Sequence, residues 1–229
     1  MFPKKFSQLL LAIITLLMIS PSGAWAKSDQ YQEAQTLVTQ CSLVLKDFCS
    51  NDDYQWLRNN LKNAKAVMVV PQRLRGGFIL GGSGGTGTLI SQNSDGSWTG
   101  PAFYTMGGVS LGLQAGAEAS QVVMLVMSKK GMDSLLTTSF KLGADISVAA
   151  GPVGAGAKAS TADIIAYSKS KGVFGGLSLD GSVIAVRDAL DKAYYKKAVS
   201  PSDILIAKSV NNPASISYRE TVQKLANSK

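Results

Sequence analysis

The stretch GGFILGGSGGTGTLI, residues 76–90, places seven glycines in fifteen residues and contains a G-x-G-x-x-G pattern from Gly82 to Gly87. In a dinucleotide-binding protein, that pattern opens a helix whose N-terminus holds the pyrophosphate. Here Gly87 is followed by the β-like run Thr88-Leu-Ile and then by an Asn/Ser/Asp/Gly turn cluster. We therefore assign these glycines to strands, bulges and tight bends of a sheet.

Glycine is confined to the middle of the chain, since 22 of the 23 glycines lie between Gly76 and Gly181. The apolar run 66–70, which ends at Pro71, predicts a buried strand. Period-two alternation of apolar residues over 109–117 and 140–148 predicts two strands with one buried face each. Further strands are expected at 98–104, 122–127, 161–168 and 173–186.

Helices are predicted at both ends of this glycine-rich region. Apolar residues recur at spacings of three and four over 28–48, which indicates an amphipathic helix. Shorter helices are expected after Asn51 and at 129–137, 188–195, 201–205 and 217–226. The predicted fold class is α+β, with a glycine-rich, curved antiparallel sheet or partial barrel flanked by N-terminal and C-terminal helices.

The first 26 residues have the layout of a secretory signal. Lys4 and Lys5 precede an apolar run at 9–19, and Ala24-Trp25-Ala26 forms an A-x-A cleavage site. We expect residues 1–26 to be removed, leaving residues 27–229 as a single domain. The protein is then expected to be exported, and periplasmic or peripherally associated with a membrane.

Net charge and composition limit the classes of partner and of chemistry that are expected for the protein. The net charge is +8, and loss of the two lysines of the signal leaves +6. A basic exported protein is attracted to anionic membrane surfaces, whereas nucleic acid is not an expected partner in that compartment. The chain contains no histidine, so the commonest general base and metal ligand is absent. No set of residues supports catalysis, and we predict neither an enzyme, nor a metal site, nor a cofactor.

The two cysteines, Cys41 and Cys49, leave two alternatives open. On one continuous helix they would lie about 12 Å apart along the axis, beyond the roughly 7 Å that a disulfide allows between Cα atoms. A break in the helix after Lys46 would let them meet. The pair is therefore either a disulfide or two buried thiols.

A specific order of motifs runs through the sequence. It comprises AKAVMVVP at 64–71, WTGPAFY at 98–104, GADISVAAGP at 143–152, YSKSKG at 167–172, GGLSL at 175–179, and Tyr194-Tyr195. This order resembles the SYLF domain, also called the Ysc84 domain, in an exported bacterial form, and the resemblance covers nearly all of residues 30–210. It implies binding of phospholipid or phosphoinositide, actin binding in eukaryotic members, and no known catalysis.

Taken together, these observations predict non-enzymatic binding of anionic phospholipid at the surface of a bacterial envelope membrane. From charge we assign head-group contacts to Lys62, Lys65, Arg73 and Arg75. From amphipathy we assign acyl contact to Leu37, Val38, Leu45 and Phe48, although such a stripe can equally cover a protein core. The alternative function is that of a structural or assembly protein of the envelope that binds a protein partner. Actin is not an expected partner outside the cytoplasm.

Overall fold

The computed structural model describes residues 22–77, 80–111, 116–153, 162–172, 179 and 181–228. The helices are α1 (Ser22–Ser50), α2 (Gln55–Asn60), α3 (Lys129–Leu135), α4 (Asp188–Tyr195), α5 (Pro201–Leu205) and α6 (Ile216–Asn227). The strands are β1 (Ala66–Gly77), β2 (Leu80–Gln92), β3 (Trp98–Leu111), β4 (Gly116–Val126), β5 (Ser139–Lys141), β6 (Val148–Ala150), β7 (Ile164–Gly172) and β8 (Val183–Val186).

Within the described residues, the eight strands form one curled sheet in the order β5-β8-β3-β2-β1-β4-β7-β6. Neighbouring strands pair antiparallel, except β6 and β7, which pair parallel. An isolated β-bridge pairs Leu142, which follows edge strand β5, with Ile146, which precedes edge strand β6. The sheet is therefore a half-barrel flanked by N-terminal and C-terminal helices, which confirms the predicted α+β fold.

The two faces of the sheet bury separate cores. On the outer face, Val67 and Val69 of β1 pack in one hydrophobic cluster with residues of α1, α4 and α6. On the inner face, Met68 packs in a second cluster with Phe140 of edge strand β5 and with Ile146, near edge strand β6. Side chains alternate between the faces along a strand, so each strand contributes to both cores.

The described part of the glycine-rich stretch lies in strands, as predicted: Gly76 and Gly77 end β1, and residues 80–90 belong to β2, which packs against an irregularity in β1. The register between β1 and β2 shifts between Val69 and Gln72. A Cβ at Gly87 would lie 2.2 Å from the backbone oxygen of Val69, and one at Gly85 would lie 2.6 Å from that of Gln72. Glycine is required here because the backbone of the irregular strand occupies the space of a side chain.

The strand predicted at 140–148 is wrong as a single element. It is divided into β5 and β6 by a turn in which Gly143 adopts φ +80°. Phe140, Leu142 and Ile146 are nevertheless buried. The alternation of apolar residues therefore indicated correctly which of these side chains are buried, but the backbone that carries them is not one continuous strand.

Two further expectations meet the structure only in part. The described part of the strand expected at 161–168 starts as β7 at Ile164, and β7 continues to Gly172, so that Lys169 pairs in register with Gln121. The strand predicted at 109–117 ends at Leu111, and the chain resumes as β4 at Gly116, with the intervening residues outside the described part. Of the strand predicted at 173–186, the described part contains β8.

Helix α1 extends the predicted amphipathic helix at its N-terminus. It begins at Ser22 and so includes the predicted cleavage site at 24–26, while the apolar run at 9–19 lies outside the described residues. Among the helices that the structure describes, none combines the length and the apolar character needed to cross a membrane.

The structure decides the state of the cysteines. Because α1 continues without a break to Ser50, Cys41 and Cys49 remain far apart, and both are buried free thiols. The thiol of Cys41 donates a hydrogen bond to the backbone oxygen of Val69 at 3.3 Å. The disulfide alternative is therefore corrected in favour of two thiols in the outer core.

Candidate functional site

The four residues predicted to bind head groups do not form one site. Lys62 and Lys65 precede β1, whereas Arg73 and Arg75 lie in its second half. At about 3.3 Å per strand residue, Lys65 and Arg75 are separated by roughly 30 Å. The sheet thus has a basic group at each end, and the two groups must be considered separately.

Five exposed lysines of the described chain gather where β1 begins and where β2 and β4 end. This group, which we call the lysine end, consists of Lys62, Lys65, Lys129, Lys130 and Lys208. The backbone N–H of Lys65 donates to the oxygen of Val126, the last residue of β4. Helix α3 begins at Lys129, three residues later, so the strand pairing brings the two lysine pairs together.

An open pocket of about 440 Å³ lies within the lysine end. Lys65 and Lys208 line it together with Met132 and Leu205, which are buried and supply apolar surface. Its polar lining is formed by Asn63, Ser91, Gln92, Asn93 and Ser94. The neighbouring side chain of Ile206 is 56% exposed. The pocket therefore offers cationic donors above an apolar floor.

Carboxylates offset part of the positive charge at this end. Asp133 accepts a hydrogen bond from Nζ of Lys129 at 2.6 Å. Hydrogen bonds from Ser128 and Ser147 lower the pKa of Asp163, with a smaller contribution from the charge of Lys130. Within the described part of the chain, neither Lys65 nor Lys208 forms an ion pair with these carboxylates, and both lysines line the pocket.

At the opposite end of β1, Arg73 and Arg75 belong to a different environment. Arg73 is only 4% exposed, and its Nη2 donates to Oγ of Ser83 at 3.0 Å. Across β1 and β4, Arg73 lies opposite Ser120 and Arg75 lies opposite Glu118. We call this group, with Ser83, the arginine cluster. Burial lowers the pKa of Arg73, and the nearby charge of Arg75 lowers it further.

The residues predicted to contact acyl chains are core residues, which corrects that assignment. Leu37, Val38, Leu45 and Phe48 are all buried in the outer core. They face the sheet because α1 lies across β1 and β2, and the spacing of the stripe matches the contact side of the helix. The structure agrees with the alternative interpretation, in which the apolar stripe of α1 covers the protein core.

The surface of α1 near the sheet contains a second depression. Leu43, which is 59% exposed, lines an open groove of about 520 Å³ together with Pro71 and Gln121. An ion pair between Lys169 and Asp47, at 2.7 Å, also belongs to this groove. Among the α1 side chains whose burial the structure describes, the large exposed apolar residue is thus Leu43, which lay outside the predicted stripe.

Comparison with known proteins identifies the family. A family model described as "Ysc84: Las17-binding protein actin regulator" matches residues 107–225. The chain belongs to the Ysc84 family. This confirms the resemblance to the SYLF, or Ysc84, domain. The matched range includes Lys129, Lys130 and Lys208 of the lysine end and Glu118 of the arginine cluster.

Relatives share the Ysc84 region within longer proteins. The chain is 32% identical over 177 residues to SH3 domain-containing protein PJ696.02 of Schizosaccharomyces pombe, a match that covers 73% of this chain and 41% of the relative. It is 35% identical over 143 residues to Protein YSC84 of Saccharomyces cerevisiae, covering 59% of this chain and 30% of the relative.

A human relative follows the same pattern. SH3 domain-containing YSC84-like protein 1 of Homo sapiens is 29% identical over 151 residues, which is 63% of this chain and 44% of the relative. The matches therefore span less than half the length of these relatives. Their names describe domain content or family and do not name an enzyme. No solved structure matches the chain.

Sequence reasoning missed Lys208. It lies in a loop after α5 with φ +53°, and no neighbouring base marks it in the sequence. Lys208 reaches the lysine end because α5 packs on β3 and the inner core, with Leu205 buried there. A signal for this residue exists only in the tertiary structure.

Proposed function

We propose that this Ysc84-family protein binds anionic phospholipid at a membrane surface through its lysine end. The observation that carries the proposal is the pocket between Lys65 and Lys208, with its apolar floor of Met132 and Leu205. A phosphate group would be bound by the two ammonium groups and by the polar side chains of the pocket. The exposed side chain of Ile206 would meet the acyl region beside it.

The electrostatics of the lysine end support binding of moderate strength. A lysine near an anionic bilayer contributes about 1 kcal/mol, and the attraction decays within a Debye length of about 8–10 Å. Asp133 and Asp163 reduce the net charge of this end. The protein would therefore bind peripherally and be released by salt.

We also propose that the protein acts in the bacterial envelope after export. The signal-like segment at 1–26 supports export, so the lipid would be an anionic phospholipid of a bacterial envelope, such as phosphatidylglycerol or cardiolipin. The protein would be periplasmic or peripherally associated with the membrane. The expectation that actin is not a partner depends on this export and stays a prediction.

Co-sedimentation of the purified protein with liposomes tests the lipid proposal. Vesicles of rising phosphatidylglycerol content are compared at low and high salt. We expect binding to rise with anionic lipid and to fall with salt, and K65E/K208E to weaken it by about tenfold or more, which corresponds to about 1.4 kcal/mol. K46E/K224E makes the same change in net charge at exposed lysines on α1 and α6.

The control defines the result that would reject the site. Equal loss of binding in K65E/K208E and K46E/K224E would mean that net charge alone attracts the protein to the membrane. Absence of binding under every condition would reject the lipid function itself.

A second candidate function is the binding of a protein partner in the envelope. It is favoured by the groove beside the exposed Leu43 and by a Saccharomyces cerevisiae relative named LAS seventeen-binding protein 3, which is 33% identical over 143 residues. A saturable complex with an envelope protein, abolished by L43D and indifferent to lipid, would support this function over the first.

A further inference from the structure

The arginine cluster is a buried polar site at the end of the sheet opposite the proposed lipid-binding pocket. Arg73, Glu118 and Ser120 are 4%, 5% and 2% exposed. The register of β1 with β4 places Arg75 beside Glu118 and Arg73 beside Ser120 on one face. Met124 and Val122 of β4 have the same strand parity as Ser120 and Glu118 and lie in the inner core. The cluster therefore lies on the inner face of the half-barrel.

The carboxyl group of Glu118 has an unused acceptor. Its Oε2 is buried, and no described residue donates a hydrogen bond to it. Leaving a buried carboxyl oxygen without a donor costs free energy that an ordinary structural glutamate would avoid. A buried polar atom of this kind calls for a specific reason, and a donor supplied by a ligand is one.

Whereas Oε2 of Glu118 lacks a hydrogen-bond donor among the described residues, the two arginines favour a bound anion. Oγ of Ser83 accepts a hydrogen bond from Arg73 at 3.0 Å and so orients the guanidinium. Arg73 and Arg75 are two residues apart on one strand face. Burial lowers the pKa of Arg73, repulsion from Arg75 lowers it further, and Glu118 acts to raise it. An anion bound near both guanidinium groups would relieve this repulsion. Arginine binds phosphate oxygens with paired hydrogen bonds.

From this arrangement we infer that the arginine cluster binds a zwitterion that carries a phosphate and a primary ammonium group, as phosphoethanolamine does. The phosphate would lie against Arg73 and Arg75, and the ammonium group would donate to Oε2 of Glu118. A phosphate without an ammonium group would leave the carboxylate of Glu118 facing an anion. A quaternary ammonium group has no N–H to donate. The inference is independent of the lysine end.

Titration with soluble head groups, followed by NMR and calorimetry, tests the inference. The probes are O-phosphoethanolamine, O-phosphocholine and inorganic phosphate, applied to the purified protein. We expect O-phosphoethanolamine to bind about tenfold or more tightly than either of the other two, a difference of about 1.4 kcal/mol. The variant E118Q should reduce this preference to about twofold, because its amide keeps the shape of the side chain and loses the charge.

The exposed Glu220 supplies a matched control. E220Q should retain the full preference, and unchanged thermal melting of E118Q will show that the variant is folded. Binding of the three probes with equal affinity, no binding at millimolar concentration, or an unchanged preference in E118Q would each overturn the inference.

Vesicles distinguish a lipid head group from a soluble phosphomonoester. If the natural ligand is a lipid, vesicles that contain phosphatidylethanolamine should bind the wild-type protein more strongly than phosphatidylcholine vesicles, and E118Q should remove the difference. If only the soluble probe shows the preference, the ligand is a soluble phosphomonoester. K65E/K208E should leave the preference for O-phosphoethanolamine intact, so failure of the lysine-end proposal is distinguishable from failure of this one.

Discussion

The ring of Tyr167 occupies the space that a side chain at Gly151 would need. A Cβ at Gly151 would lie 2.1 Å from Cζ of Tyr167. The backbone N–H of Gly151 also donates to the oxygen of Ala166 at 2.7 Å, which holds the end of β6 against β7. The Tyr167 ring in turn contacts Tyr54 edge to face, with 5.7 Å between centroids. The edge of the sheet is thereby fixed to the outer core.

G151A should destabilise the fold because the new methyl group must displace the ring or break the backbone hydrogen bond. Overpacking of this kind costs about 1–3 kcal/mol. Chemical denaturation measures the change. G82A is the matched control, since a Cβ at Gly82 meets nothing within 4 Å, and its effect should stay within about 0.5 kcal/mol. Equal stability of G151A and wild type would contradict the contact.

The corrected role of the α1 stripe predicts a contrast between two neighbouring leucines. Leu45 is fully buried, whereas Leu43 is 59% exposed. L45A should reduce the free energy of unfolding by about 2–5 kcal/mol, and L43A by less than about 0.5 kcal/mol. Under conditions where both variants are folded, L45A should bind liposomes as the wild type does. Weakened binding by folded L45A would restore the acyl-contact role.

Because the carboxyl group of Asp191 is buried, we expect the free energy of unfolding to depend on pH. Its side chain is fully buried, and Oδ1 accepts a hydrogen bond from the N–H of Phe103 at 3.1 Å. Burial raises the pKa of this carboxyl to about 8, and the charge of Asp188 adds to the increase. The folded state thus holds a proton that the unfolded state releases near pH 4. The stabilisation is complete below that pH and is lost as the pH rises towards 8.

Thermal melting between pH 5 and pH 9 measures this effect. The melting temperature of the wild type should fall with rising pH, by about 2–4 °C for each kcal/mol lost. D191N cannot ionise and should show a flatter profile, whereas D29N, at an exposed position of α1, should follow the wild type. A D191N profile parallel to that of the wild type would show that other groups cause the pH dependence.

The cysteines should be inert in the folded protein. Burial raises the pKa of Cys41 and of Cys49 to about 12, and the thiolate is the reactive form. We expect a thiol reagent at pH 8 to leave both residues unmodified in buffer and to modify both in denaturant, as counted by mass spectrometry. Rapid modification of either thiol in buffer would mean that α1 separates from the sheet.

Local patterns predicted much of the secondary structure. Helices α4 and α5 were predicted with the bounds that the structure has, and α6 within one residue at each end, whereas α1 begins six residues before and ends two residues after its predicted bounds. The strand at 140–148 failed because alternation reports which side chains are buried and not whether the backbone is continuous. The turn at Gly143 keeps the same residues buried without the strand.

The sequence could indicate individual residues of the candidate sites but not which of them lie together. Lys65 and Arg73 are close in sequence, yet an extended strand carries them to opposite ends of the sheet. Lys208 is distant in sequence and lines the same pocket as Lys65. The burial of Glu118 had no local signal, since its environment comes from strands β1 and β7 on either side of β4.

The sequence by itself determined the Ysc84 family, the α+β class, and the glycine-rich region that forms the sheet, because these depend on composition, periodicity and ordered motifs along the chain. Only the tertiary structure decided that the α1 stripe is core, that the cysteines stay apart, and that the basic residues separate into an exposed lysine end and a buried arginine cluster. The physical reason is that burial and proximity depend on strand pairing between distant segments, whereas a local pattern records only the preference of each segment for a buried face.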